Sequence, residues 1–112
     1  MVQYSAGLDQ AFAAVADPTR RGILHQLGQG DSSITALATR FEMTLTGMKK
    51  HVQVLEDARL VTTAKVGRVR TCSVGPRRLA DEAAWIGQYQ AMLESRLNRL
   101  EAFLERTKGS DV

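Results

Sequence analysis

TLTGMKKHVQVLEDARLV, residues 44–61, is the stretch on which the fold turns. Met48, Val52, Leu55 and Ala58 recur at helical spacing, so one face of this segment must be buried. The same turns carry Lys49, Lys50, His51 and Gln53, a basic and amide-bearing face. Thr44 stands where an N-cap hydroxyl belongs, and the apolar period breaks after Ala58-Arg59.

Upstream, DSSITALATRFEMT (31–44) predicts a short helix with Thr35 as its N-cap and Ile34, Leu37, Ala38 and Phe41 facing inward. Only two or three residues separate it from the next helix, so the two must cross sharply, as a helix-turn-helix does. Before it, DPTRRGILHQLGQG (17–30) carries strong start and stop signals. Asp17 can cap, Pro18 fits the first helical position, Ile23, Leu24 and Leu27 supply a buried face, and Gly28 and Gly30 end the helix. An opening helix runs from residue 7 or 8 to 16, with Leu8, Ala11, Phe12 and Val15 on one stripe.

Downstream the period changes to that of strands. LVTTAKVGRVRTCSV (60–74) reads as two short strands, about 61–65 and 69–74, joined at Val66-Gly67-Arg68, where Gly67 supplies a permissive turn position. A long helix then runs from residue 77 or 79 to about 106. Leu79, Ile86, Leu93 and Leu100 fall at heptad spacing, and Ala83, Gln90, Leu97 and Leu104 form a second seam beside them. Trp85, Tyr89 and Phe103 flank these rows. Such a stripe exceeds what one small core covers, which points to a helix paired with a second copy; a long helix packed within its own subunit is the alternative. The predicted fold is mainly α with a small β-hairpin, a winged helix-turn-helix in the order α-α-α-α-β-β-α. It forms a single domain over residues 1–106, followed by a polar, frayed tail at 107–112.

The chain has 112 residues and one cysteine, Cys72, so no intramolecular disulfide is possible and a reducing compartment suits it. MVQYSAGLDQ lacks the basic and apolar regions of a signal peptide. No apolar run approaches the roughly 18 residues of a membrane span. A soluble, cytoplasmic protein with no membrane association is expected. The net charge of +3 is unevenly spread. Residues 44–78 hold eight Lys and Arg against two acidic residues, net +6, while 1–43 are net −1 and 79–112 net −2. Charge concentrated in this way is an electrostatic footprint for a polyanion, although a merely solvated basic face looks similar in sequence.

On a helix that enters a DNA major groove, these residue types have defined uses. Thr44 and Thr46 offer hydroxyls to phosphates or bases, Lys49 and Lys50 reach phosphates or guanine acceptors, and Gln53 can pair with adenine. Gly47 costs about 1 kcal/mol of helix propensity but clears space for close approach. In the hairpin, Lys65, Arg68 and Arg70 can grip the backbone or enter a narrow minor groove. His51, at the edge of the buried stripe, reads as a hydrogen-bonded structural histidine ahead of a base reader or proton sensor, and His25 likewise. Cys72 reads as a small buried residue ahead of a redox switch.

From Phe12 to about Leu104 the chain resembles the ArsR/SmtB family of winged-helix transcription regulators. FAAVADPTRRGIL, ITALATRF, MTLTGMKKHVQVLEDARLV and VGRVRTCSV carry the resemblance, in that order. It implies a homodimer formed by the first and last helices, through Leu8, Phe12, Leu79, Ile86, Leu93, Leu97 and Leu100. It also implies a repressor that binds double-stranded DNA at a palindromic operator, blocks a promoter and is released by a signal of unknown identity. The family's familiar metal sites are not carried over. Where one places a Cys-x-Cys pair, this chain has Leu37-Ala38-Thr39-Arg40. Where another places histidines with carboxylates on the last helix, Asp81, Glu82, Glu94 and Glu101 remain without a histidine. Soft or borderline metals need thiolate or imidazole ligands, so neither a metal nor a cofactor is expected.

An enzyme is the weakest reading, for no Gly-rich phosphate loop or supported cysteine–histidine arrangement occurs. Two others stay open beside the regulator: a winged helix used for protein contacts, and a ligand or redox sensor with Trp85, Tyr89 and Met92 lining a pocket at the dimer seam.

Overall fold

Asp17 and Pro18 start their helix in the manner the local chemistry dictates. The Asp17 carboxylate accepts from the Arg20 amide at 3.0 Å, and Pro18 opens the first turn. This computed structural model describes residues 6–110, with side chains described over 7–108. The first five residues, within the segment read as lacking a signal peptide, and residues 111–112 of the expected tail lie outside that range. The elements are α1 (Ala6–Val15), α2 (Pro18–Gln29), β1 (Ser32–Ser33), α3 (Ile34–Arg40), α4 (Leu45–Asp57), β2 (Val61–Val66), β3 (Val69–Val74) and α5 (Ala80–Ser110). They divide into two units after Leu79: the winged helix, and α5.

In the winged unit, Ile23 and Leu27 from α2, Leu37 from α3, Met48, Val52 and Leu55 from α4, and Val61 and Cys72 from the strands form one buried cluster. Full burial of each large aliphatic side chain contributes about 1.5–3 kcal/mol. The stripe expected of residues 44–61 is the inner face of α4, and Ala58 closes it at 3 % exposure. Between α3 and α4 the chain reverses through Glu42, whose φ of 54° lies in the left-handed region. The Met43 amide closes that turn on the Ala38 carbonyl at 2.9 Å.

Three expectations are corrected here. The N-cap of α3 is Ser33, whose hydroxyl accepts from the Ala36 amide at 3.1 Å, and Thr35 lies inside the helix. The reason is a strand absent from the sequence reading. Ser32 and Ser33 pair with Cys72 and Thr71, which holds Ser33 extended at the helix entrance. The hairpin is thereby a three-stranded antiparallel sheet in the order β1-β3-β2. Gly28 is also helical, with Gly30 as the C-cap of α2.

The helix α5 runs through Ser110, past the expected end at residue 106. Leu79 does not open its heptad row. It precedes the helix at a φ of 56° and packs against the winged core, so its assignment to a dimer face is not supported. Ile86, Leu93, Leu97 and Leu100 are exposed along α5, together with Trp85, Tyr89, Met92, Phe103 and Leu104. The Trp85 and Tyr89 rings stack 5.7 Å apart and nearly parallel. No helix among the described residues is long and apolar enough to cross a membrane.

Candidate nucleic-acid interface

Because Met48, Val52 and Leu55 face the core, helical geometry turns Thr46, Lys50, Gln53 and Asp57 to the opposite side of α4. All four are exposed. Lys49 lies on one flank of this stripe, and His51 lies on the other. Thr44 works first as the N-cap, accepting from the Gly47 amide at 3.1 Å. A Cβ on Gly47 would stand 3.1 Å from that same hydroxyl, so the glycine leaves room for the cap itself. Gln53 donates to Asp57 Oδ1 at 2.7 Å, one turn further along the helix.

Lys49 faces the wing. Together with Lys65, Arg68 and Arg70 it lines an open concavity of about 520 Å³ between α4, the start of α3 and the hairpin. Ser33, Thr35 and Thr63 add hydroxyl-bearing residues to its walls, and none of the described residues lining it is acidic. The wing tip turns at Gly67, with a φ of 63°, before Arg68. Lys65 and Arg70 are direct cross-strand partners, so their side chains leave the same face of the hairpin side by side. Like charges in that position destabilise a hairpin. An anion between them would relieve the repulsion, and a phosphate backbone supplies one at every nucleotide.

The structure therefore divides the eight residues expected at the interface. Lys49, Lys65, Arg68 and Arg70 converge on the concavity, whereas Thr46, Lys50 and Gln53 form a separate outward stripe, and Thr44 is engaged as a cap. Ser33, Thr35 and Thr63, which also line the concavity, were not among the residues expected from the sequence. Their place depends on the β1–β3 pairing and on strand register, for which no local periodicity exists.

The two histidines and the cysteine do not line the concavity. His51 Nδ1 lies 3.2 Å from Arg20 Nη1 and 3.9 Å from Asp17 Oδ2. The hydrogen bond from the Arg20 amide holds the Asp17 carboxyl below its ordinary pKa, with the Arg20 and His51 side chains adding to the effect. His25 is exposed beside Gln29. Cys72 is fully buried, and that burial pushes its thiol above the usual value. Among the described residues no three His, Cys, Asp or Glu side chains gather as a metal site requires. On α1, Leu8 and Phe12 are half-buried.

Comparison with known proteins agrees with this geometry. Residues 15–64 match the family model described as a helix-turn-helix domain. The chain is 35 % identical over 72 residues to the HTH-type transcriptional regulator Rv2034 of Mycobacterium tuberculosis, covering 64 % of this chain and 67 % of that protein. It is 28 % identical over 79 residues to the transcriptional repressor SdpR of Bacillus subtilis, covering 70 % and 88 %. The crystal structure of an ArsR family transcriptional regulator, RHA00566, superposes with a TM-score of 0.74 at 40 % identity, covering 85 % of this chain and 98 % of that one.

Proposed function

The chain belongs to the ArsR family of winged helix-turn-helix transcriptional regulators, and from that premise we propose a homodimeric repressor that grips duplex DNA with α4 and the wing. DNA-binding regulation of transcription is the activity that goes with the family. The finer reading concerns the residues that do it, the assembly and the sign of regulation.

In this reading α4 enters the major groove with Thr46, Lys50 and Gln53 toward base edges. Lys50 donates to guanine O6 and N7, and Gln53, released from Asp57, pairs with adenine N6 and N7. Lys49, Lys65, Arg68 and Arg70 straddle the adjacent sugar–phosphate backbone, with Thr35 and Thr63 lining the same concavity. The observation that carries the assignment is the Lys65–Arg70 pair. Two cations held side by side, facing a third on α4 with no carboxylate in the lining, match a polyanion far better than solvent.

Dimerisation is supported by the exposed apolar row Ile86, Leu93, Leu97 and Leu100 on a helix about 46 Å long, too large a stripe to leave in water. Leu8 and Phe12 of α1 are proposed to complete the interface. Two copies would present their α4 helices about 34–36 Å apart, one turn of duplex, and so select a palindromic operator. Occlusion of a promoter by such a dimer gives repression, the activity named for SdpR. The site is one for binding and not for catalysis, and a cytoplasmic location goes with a chromosomal DNA partner.

The test is a mobility-shift titration of Lys49→Ala with Lys50→Ala, using duplexes selected from a random pool by the unaltered protein. Loss of binding by a folded, dimeric double variant supports the reading. Unchanged affinity removes α4 from the interface.

A further inference from the structure

Arg20 is not among the residues lining the concavity, yet its guanidinium joins three helices. From the first turn of α2, Nε donates to the Ala14 carbonyl at 2.7 Å and Nη2 to the Ala13 carbonyl at 3.1 Å. Both acceptors belong to the last turn of α1, where carbonyls lack partners in their own helix and the helix dipole is negative. The remaining nitrogen, Nη1, lies 3.2 Å from His51 Nδ1 on α4. Arginine has donors only and stays charged, so Nδ1 is the acceptor and the ring proton resides on Nε2. Asp17 completes the cluster, with Oδ2 bound to the Arg20 amide at 3.0 Å and lying 3.9 Å from His51 Nδ1.

Among the described residues of α1, the fully buried side chains are small. Ala11 and Ala14 are the fully buried residues of α1, whereas Leu8, Phe12 and Val15 are half-buried. Methyl groups interlock little, so they resist rolling or sliding of a helix less than larger side chains do. A charged group with three fixed donors on three acceptors defines both the roll and the axial position of α1 against α4.

We propose that Arg20 and His51 are a positioning pair that fixes α1 against the DNA-reading helix, and thereby sets the separation of the two α4 helices in the homodimer. The inference rests on the homodimer reading given above. Neither residue need touch DNA. Their effect is on which half-site spacing the dimer accepts, because one base pair of added spacing shifts a half-site by about 3.4 Å along the duplex.

The experiment measures affinity for a duplex selected by the unaltered protein and for derivatives in which the half-site separation is changed in single-base-pair steps. The proteins are wild type, His51→Leu, His51→Asn and Arg20→Lys, each checked by thermal melting and sedimentation. Asparagine keeps an acceptor oxygen on Cγ, where Nδ1 stands in histidine. Wild type and His51→Asn are expected to discriminate against altered spacing by about tenfold or more, the factor carried by one charge-assisted hydrogen bond. His51→Leu and Arg20→Lys are expected to accept the altered spacings almost equally while remaining folded dimers. Wild-type discrimination retained in both of these variants overturns the proposal. So does a uniform loss of affinity at every spacing, which is what simple destabilisation gives. Binding of the wild type as a single protomer per duplex defeats the homodimer reading itself, and is seen before any variant is compared.

Discussion

Thr63 on the wing strand β2 donates a hydrogen bond from Oγ1 to Glu56 Oε2 of α4 at 2.8 Å. This bond ties the hairpin to the helix beside it, and so the cations of the wing to Lys49. Thr63→Val keeps the shape and the β-branched preference for a strand but removes the donor. A hydrogen bond to a charged group contributes about 1.5–3 kcal/mol, less where water reaches it, so a loss near the lower figure is expected. The urea midpoint measures it, and Thr63→Ser is expected to recover most of the loss.

Lys65 and Arg70 give a prediction in which stability and binding move in opposite directions. Their direct cross-strand placement opposes folding of the free protein. Lys65→Thr is expected to raise stability by about 0.2–1 kcal/mol, the scale of a cross-strand pair, while weakening duplex binding. Thermal unfolding and a binding titration on the same preparation check both signs. Lower stability together with unchanged affinity would separate this pair from the DNA surface.

At the entrance to α3 the expectation concerns two neighbouring hydroxyls. Ser33→Ala removes the acceptor for the Ala36 amide and is expected to cost about 1 kcal/mol. Thr35→Ala, inside the first turn, is expected to change stability by less than about 0.5 kcal/mol. Chemical denaturation of the two variants distinguishes them.

That pair also marks the boundary of what could be read from the sequence. Met48, Val52, Leu55 and Ala58 announced the inner face of α4 because helical periodicity is written locally, and the same holds for Asp17-Pro18 and for the turn at Gly67. Ser33 and Thr35 are both competent caps within one short run. The choice between them was made by strand pairing with residues 71 and 72, far along the chain. Leu79 kept heptad spacing with Ile86 but lies before the helix begins, where a left-handed residue turns it onto the winged core. The cationic residues of the proposed interface were legible as a group from charge density. Their division into an outward stripe and a concavity required the register of the hairpin beside α4. Arg20 and His51 meet across 31 residues of sequence, a distance at which no motif signals contact.

Cys72 yields a dependence on alkaline pH. Burial raises its thiol pKa in the folded state, an effect that Glu56 reinforces and Arg70 opposes. A raised folded value means that the neutral thiol favours folding. This contribution is complete below the ordinary thiol value of about 8.5 and is lost as pH rises through the higher folded value. Wild type is therefore expected to lose stability more steeply than Cys72→Ala above that pH, as followed by denaturation midpoints. In the native protein near neutrality, thiol reagents are expected to label Cys72 only as fast as the fold opens.

At the acid end, the Asp17 carboxyl is held below its ordinary value by the bond from the Arg20 amide. A depressed folded value means that its support of α2 is present above the ordinary carboxylate range and is lost as pH falls through the folded value. The stability difference between wild type and Asp17→Ala is expected to shrink under acid, and denaturation midpoints across that range measure it.

Whether phosphates occupy the concavity beside Lys49 is read most directly from the salt dependence of duplex affinity. Wild type is expected to give a steep linear fall of log affinity with log salt. Lys49→Ala is expected to flatten that slope by about 1.8, one lysine lost from each protomer at about 0.9 per phosphate. A slope for Lys49→Ala equal to that of the wild type, or an affinity indifferent to salt in either protein, would contradict it.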